Sequence, residues 1–365
     1  MPKKKEVEYV ESLLKKERSM MFESPGFLSS GSTLLNLACT GTVDGAWPIG
    51  AYSLFIGDSS SGKTWVGLSS LAEASIDSRF DSYRLIYDGG EFGAMMSIQD
   101  YFGKKLAERI EPPAYEDGIP VASRTVEEMY VRIDDALEDS RPFIWIEDSM
   151  DCLSSLAEIG KFKDVRDAVK KDREVSGSYG DGKAKVNSSN LRRLMTPLRE
   201  SGSILLILNQ TRDSFDQFTA KTRSGGRALG FYAQVEVWSS IKERLKRTVN
   251  KKKRQYGIVS KMDVKRSRVT GKERTAFVPI LNSSGIDEYG SLVDFLVDEG
   301  VWKKARGKQS LLVDNAFSMK EVTRGKLIKM AEEDPDVAET MRDLVLETWD
   351  GIEEALKPLR KKRYG

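Results

Sequence analysis

Gly57-Asp58-Ser59-Ser60-Ser61-Gly62-Lys63-Thr64 fits the pattern G-x-x-x-x-G-K-[ST] at every fixed position and directly follows the apolar run Ser53-Leu54-Phe55-Ile56. Small residues let backbone N–H groups converge on phosphate at the N-terminus of the helix that follows such a loop. Lys63 then brings its charge to the β and γ phosphates, and the hydroxyl of Thr64 is a ligand for Mg²⁺. A nucleotide-binding strand, loop and helix is the expectation for this stretch, with ATP and Mg²⁺ as cofactors.

Three more apolar runs match the first: Leu85-Ile86-Tyr87, Phe143-Ile144-Trp145-Ile146 and Ile204-Leu205-Leu206-Ile207-Leu208. Residues that are apolar in succession suit strands buried on both faces, the mark of a parallel sheet covered by helices. The fold class is therefore α/β, a mostly parallel central sheet flanked by helices. The run at 143 closes in carboxylates, and Asp148 is the preferred metal-ordering acid, with Glu147 and Asp151 as competing readings. The chain has no histidine, which removes the commonest general base, so another carboxylate must orient the attacking water. Glu91, just past Asp88-Gly89-Gly90, is the candidate; the alternative is a plain polar turn. Gln210, in Asn209-Gln210-Thr211-Arg212 at the end of the fourth run, is placed to sense the γ-phosphate, unless the amides there only cap a strand end.

The 365 residues are 39% apolar and 31% charged, enough for a sizeable core under a charged surface. No run reaches the length of a membrane helix, and the start, Met-Pro-Lys-Lys-Lys, lacks a secretory apolar stretch, so a soluble cytoplasmic protein is expected. Cys39 and Cys152 fit neither a disulfide framework nor a zinc spacing and read as core thiols. The net charge of +2 hides segregation along the chain: fourteen Lys or Arg against three acids between Lys242 and Arg274, then ten acids against Arg342 alone between Glu332 and Glu354. A basic middle suits phosphate backbones and an acidic lobe repels them; a solvated, salt-screened surface is the plain alternative.

Three units are expected: an N-terminal arm over 1–26 with a short helical pattern, a core over 27–284, and a small C-terminal α/β lobe over 285–365 with an acidic helix and a basic tail. Two long polar stretches interrupt the core, about 159–190 and 211–227. In the first, Asn187-Ser188-Ser189 reads as the cap of a helix that Pro197 should end or kink. The second carries Phe215 and Phe218 before Gly225-Gly226. Polar loops this long inside a compact domain are usually functional or disordered rather than structural.

Beyond the phosphate loop, four segments resemble the RecA family of recombinases and its bacteriophage counterparts. They are Ser29-Ser30-Gly31-Ser32-Thr33-Leu34-Leu35-Asn36, Tyr87-Asp88-Gly89-Gly90-Glu91-Phe92-Gly93 (one residue longer than the family's segment), Gly225-Gly226-Arg227-Ala228-Leu229-Gly230-Phe231-Tyr232-Ala233, and Gly285 to Asp294. The resemblance implies a RecA-like P-loop core whose two polar interruptions are DNA-binding loops. Phe215 and Phe218 would stack on bases, or else be core residues, while Lys183, Lys185, Arg192, Arg212, Arg223 and Arg227 meet phosphates. It also implies ATP held between neighbouring subunits of a helical homo-oligomer, with Lys265 and Arg268 reaching across, and Met20-Met21-Phe22 as a polymerisation contact.

The function this implies is ATP-dependent homologous pairing and strand exchange on filaments of single-stranded DNA, with homologous double-stranded DNA, single-strand-binding proteins and mediators as partners and no membrane. A RecA-fold hexameric helicase or loader, or a nucleotide-gated scaffold that coats single strands without exchange, are the rival readings.

Overall fold

The computed structural model describes residues 26–90, 97–171, 182–213, 221–306, 308, 310–313 and 321–360. The four apolar runs form four strands: β1 (Tyr52–Gly57), β2 (Arg84–Asp88), β4 (Phe143–Asp148) and β5 (Ile204–Asp213), with the short β3 (Ile110–Glu111) beyond β2. The sheet continues through β6 (Lys221–Arg223), β7 (Val235–Val249), β8 (Lys252–Ser267), β9 (Arg274–Leu281) and β10 (Gly285–Ile286). Ten strands form one sheet in the order β10-β9-β8-β7-β1-β5-β4-β2-β3, and β6 folds back on β5. From β7 through β1, β5, β4, β2 to β3 the neighbours are parallel, and from β7 to β10 they are antiparallel.

Strand alternation divides the apolar runs between two cores, one on each face of the sheet. Phe55, Ile144, Ile146, Leu206 and Leu208 join the first, with helices α1 (Thr33–Thr40) and α2 (Lys63–Ile76). Leu54, Ile56, Trp145, Leu205 and Ile207 join the second, with α3 (Val126–Glu138) and α5 (Gly182–Ser201). At roughly 1.5 to 3 kcal/mol for each large apolar side chain fully buried, these interleaved rows fix the register of the central strands. A slip by one residue would exchange the two cores.

The first polar interruption is helical where it is described. Helix α4 (Leu156–Lys170) covers its beginning and α5 starts at Gly182, upstream of the expected cap. Asn187 lies inside α5, buried, where it accepts a hydrogen bond from the Tyr130 hydroxyl at 3.0 Å and donates to Gly225 O at 2.9 Å. It is an interior tie, not a cap. The helix also runs through Pro197 to Ser201. Cys39 is buried as expected, whereas Cys152 is exposed because it falls in the turn after β4.

Residues after β10 form α6 (Glu288–Asp298), a three-stranded sheet of β11 (Lys303–Lys304), β12 (Ser310–Leu312) and β13 (Glu321–Thr323), then α7 (Arg324–Glu333) and α8 (Pro335–Ala355). Leu292, Leu296, Met341, Val345 and Trp349 from this region belong to the same hydrophobic cluster as α1 and strands β7 to β9. Ion pairs add to the join: the Glu353 carboxylate is gripped by Lys272 and by Arg274, whose Nη2 stands 2.8 Å away. No helix among the described residues is long and apolar enough to cross a membrane.

Candidate nucleotide and nucleic-acid site

The parallel strands end along one edge of the sheet, where ligands of open α/β sheets bind. Gly57 stands in register with Gln210, Asp148 with Leu208, and Asp88 with Glu147, so every described candidate for nucleotide chemistry on a central strand reaches this edge.

Helix α2 begins at Lys63 after Gly62, which has φ 102° and no side-chain cap, while Ser32, Thr125 and Ser155 cap their helices with hydroxyls. A side chain at Gly62 would be strained and crowded together, since its Cβ would lie 2.3 Å from Ile280 Cδ1. The loop is held from behind by serines of the antiparallel strands. Ser61 and Ser239 hydroxyls are 2.7 Å apart, and Ser260 donates to Ser61 O at 2.8 Å. Lys63 is only 8% exposed and donates to Gly57 O and Asp58 O, both at 2.9 Å. Its ammonium thus lies on carbonyls of its own loop, within the cradle that a phosphate would share.

Thr64 Oγ1 donates to Asp148 Oδ2 at 2.7 Å, and the Tyr87 hydroxyl donates to the same oxygen at 2.8 Å. A hydroxyl and a single carboxylate this close, both hard oxygen donors, fit Mg²⁺, which keeps most of its water and takes few protein ligands. Glu147 points to the opposite face, fully buried and across the strands from Asp88. Burial first, and then the neighbouring Asp88 charge, holds the Glu147 carboxyl well above the usual carboxylate range. Burial also raises Asp88, against the hydrogen bond from Ser123 N. Like charges this close cannot both ionise, so the pair carries at most one. Asp151 turns elsewhere, accepting from Gln210 N at 2.5 Å and from the Ser224 hydroxyl. Tyr87, Ser239 and Ser260 do not stand out from sequence; their only signal is a polar residue at a position where a buried strand expects none.

Strands β5 and β6 make a hairpin in which Thr211 pairs with Arg223 and Asp213 with Lys221. Asn209 donates to Ser224 O at 3.1 Å, tying its base. Lys183, Arg212, Arg223 and Arg227 line one cavity of about 550 Å³ beside this hairpin. Arg223 is engaged there with the buried Glu236 at 2.8 Å. Arg192 lies further along α5, exposed, with Nε 3.3 Å from the Tyr232 hydroxyl, and Lys185 is exposed on α5 outside that lining. Lys221 also lines the cavity, and its ammonium lies 2.6 and 2.5 Å from the two carboxylate oxygens of Asp58. Thr211 Oγ1 donates to Asp58 Oδ1 at 2.5 Å. Burial works to raise the Asp58 carboxyl, but hydrogen bonds from Lys221 and Thr211 win and hold it below its ordinary value. Glu91, Met20, Met21, Phe22, Phe215 and Phe218 lie outside the described residues.

Lys265 falls at a bulge: Glu236 pairs with Arg266 but Val237 with Val264, leaving Lys265 unmatched on β8. Arg266 and Arg268 both donate to the backbone around Gly230 and Phe231, the latter at 2.6 Å to Phe231 O, so these two arginines gather on one side. Most of the remaining basic middle lies on the β7–β8 hairpin, whose exposed end displays Arg244, Lys246, Arg247 and the run Lys251 to Arg254.

Comparison with known proteins agrees with this geometry. The family profile described as RecA N-terminal domain matches residues 162–287. Protein RecA of Streptococcus sanguinis is 26% identical over 76% of this chain and 66% of its own length, and Protein RecA of Streptococcus thermophilus is 26% identical over the same shares. "Protein RecA, chromosomal" of Lactococcus lactis is 25% identical over 76% of this chain and 65% of its own length. The chain thus spans about two thirds of the length of these relatives. With the glycine-rich loop at the edge of a mostly parallel sheet and matches from profile and relatives alike, the chain is similar to the RecA proteins.

Proposed function

We propose that this protein is a DNA-dependent ATPase that assembles on single-stranded DNA and pairs it with homologous duplex. The observation that carries the reading is the meeting, at one sheet edge, of the Lys63 cradle and Thr64–Asp148 pair with the β5–β6 hairpin and its basic cavity. The uncapped N-terminus of α2 and the Lys63 ammonium would hold the triphosphate, and Thr64 with Asp148 would hold Mg²⁺. Mg²⁺ would supply charge neutralisation at the transferring phosphoryl group. Tyr87 orients the Asp148 carboxylate, Gln210 stands beside the loop to report on the phosphate end, and Glu91 is the residue for orienting water. Lys183, Arg212 and Arg227 with the β7–β8 hairpin supply a polynucleotide surface without base readout, leaving sequence to the incoming strand. Filament formation, with basic residues such as Lys265, Arg266 and Arg268 reaching a neighbour's nucleotide, completes the proposal.

The test is phosphate release measured with and without single-stranded DNA, together with electron microscopy of the protein on DNA with a nonhydrolysable ATP analogue. DNA-stimulated release and helical filaments are the expected results. Closed rings with directional unwinding would establish a helicase or loader instead, and coating without turnover would establish a scaffold.

A further inference from the structure

The two lysines with the clearest claims on phosphate, one in the nucleotide cradle and one in the basic cavity, are held by a single residue. Asp58 accepts from Lys63 Nζ through its main-chain carbonyl at 2.9 Å, and from Lys221 Nζ through its carboxylate at 2.6 and 2.5 Å. Thr211, on the other arm of the β5–β6 hairpin, donates to the same carboxylate at 2.5 Å. Both arms of that hairpin are therefore pinned to the second residue of the phosphate loop. We propose that Asp58 is a positioning residue which, through its ion pair with Lys221, couples nucleotide occupancy of the loop to polynucleotide affinity of the cavity.

The coupling follows from shared partners. A triphosphate that draws Lys63 off the Gly57 and Asp58 carbonyls changes the charge and hydrogen bonding around residue 58, and the carboxylate of that residue is the anchor of Lys221. Lys221 lines the cavity with Lys183, Arg212 and Arg227, so a polynucleotide phosphate there competes with Asp58 for the same ammonium. Linkage is reciprocal: what nucleotide does to Lys221, polynucleotide bound at Lys221 does to nucleotide. The Lys221 side chain is 46% exposed and the Asp58 side chain 29%, so the pair is solvent-screened and its share of the coupling is modest.

This inference rests on the proposed function, and one experiment separates the two. Oligonucleotide affinity of the full chain is measured with ADP and with a nonhydrolysable ATP analogue, at several salt concentrations, for the wild type, Lys221→Gln, Lys221→Arg and Asp58→Asn. The expected result is that Lys221→Gln and Asp58→Asn each shrink the ATP-to-ADP affinity ratio by about two- to five-fold, while Lys221→Arg, which keeps the ion pair, preserves it. If Lys221 were only a phosphate ligand, Lys221→Gln would weaken binding equally in both nucleotide states and lower the salt slope by about 0.7, and the coupling role would be lost while the ATPase reading stood. A wild type with the same affinity in both states would overturn the nucleotide-gated reading and the coupling together.

Discussion

The two halves of the ten-stranded sheet answer different demands. In the parallel half, β1, β4 and β5 are buried on both faces and keep their polar groups for the ends, where Gly57 is in register with Gln210 and Asp148 with Leu208. In the antiparallel half, β7 pairs with β1 only from Glu236 to Ser239 and then runs on with β8 alone, so most of its length serves as display. Chemistry gathers where strands stop inside the body, and charge is shown where strands outrun their neighbours. A mutation in the first half should change catalysis or stability, and one in the second should change association and its salt dependence.

The largest effect expected is from Lys63→Ala, which removes the cradle's only buried ammonium among the described residues and should lower ATP turnover by at least about a hundredfold. Wild-type phosphate release in that variant would end the nucleotide assignment. Next, replacing Lys251, Lys252, Lys253 and Arg254 together by Gln should reduce the slope of log affinity against log salt for single strands by about 0.7 for each phosphate no longer neutralised. Thermal midpoint should stay within a degree or two, because these side chains are exposed. An unchanged slope would show that the hairpin end does not meet the polynucleotide.

A smaller effect concerns the buried carboxyl pair. The Glu147 value is raised in the folded chain, so the folded state binds more protons than the unfolded one, and stability present below the ordinary carboxylate range is lost as pH rises through the raised value. Glu147→Gln should therefore raise the thermal midpoint at pH 8 more than at pH 5, by the equivalent of roughly 1 kcal/mol; an equal shift at both values would mean the side chain carries no such linkage. Smallest is Glu353→Gln. Hydrogen bonds from Arg274, and then Lys272, hold Glu353 down to about 2 against some burial, so its contribution is present above the ordinary carboxylate range and fades as pH falls toward that value. Allowing for solvent screening, the loss at neutral pH is about 0.5 to 1 kcal/mol, read as a lower denaturation midpoint that disappears in strong acid.

The division between the halves also governs what can be read from sequence. Doubly buried strands announce themselves as unbroken apolar runs, and all four are legible, as is the strand, loop and helix order around residues 57–63. Helix α4 is hidden because it has no buried residue: Phe162 is 67% exposed and Val169 69%, so no core-facing period marks it. The legible signal is Ser155 with Glu158, a reciprocal capping box. Asn187 misleads because an amide beside two serines resembles a helix start, and only the tertiary partners Tyr130 and Gly225 reveal its interior role. Nor does spacing give warning of the bulge at Lys265, which leaves that residue unmatched between Arg266 and Val264.

Register between β7 and β8 shifts at three places along the ribbon, near Glu236, Ile241 and Leu245. Each extra residue resets which way the following side chains point, and past the last shift Lys246 to Val249 pair with Gln255 to Lys252 in unbroken register, all of them exposed. Strand alternation puts Lys246 and Lys253 on one face of this end and Arg247, Lys252 and Arg254 on the other, so under the proposed function a polyanion arriving from either side would meet guanidinium or ammonium groups.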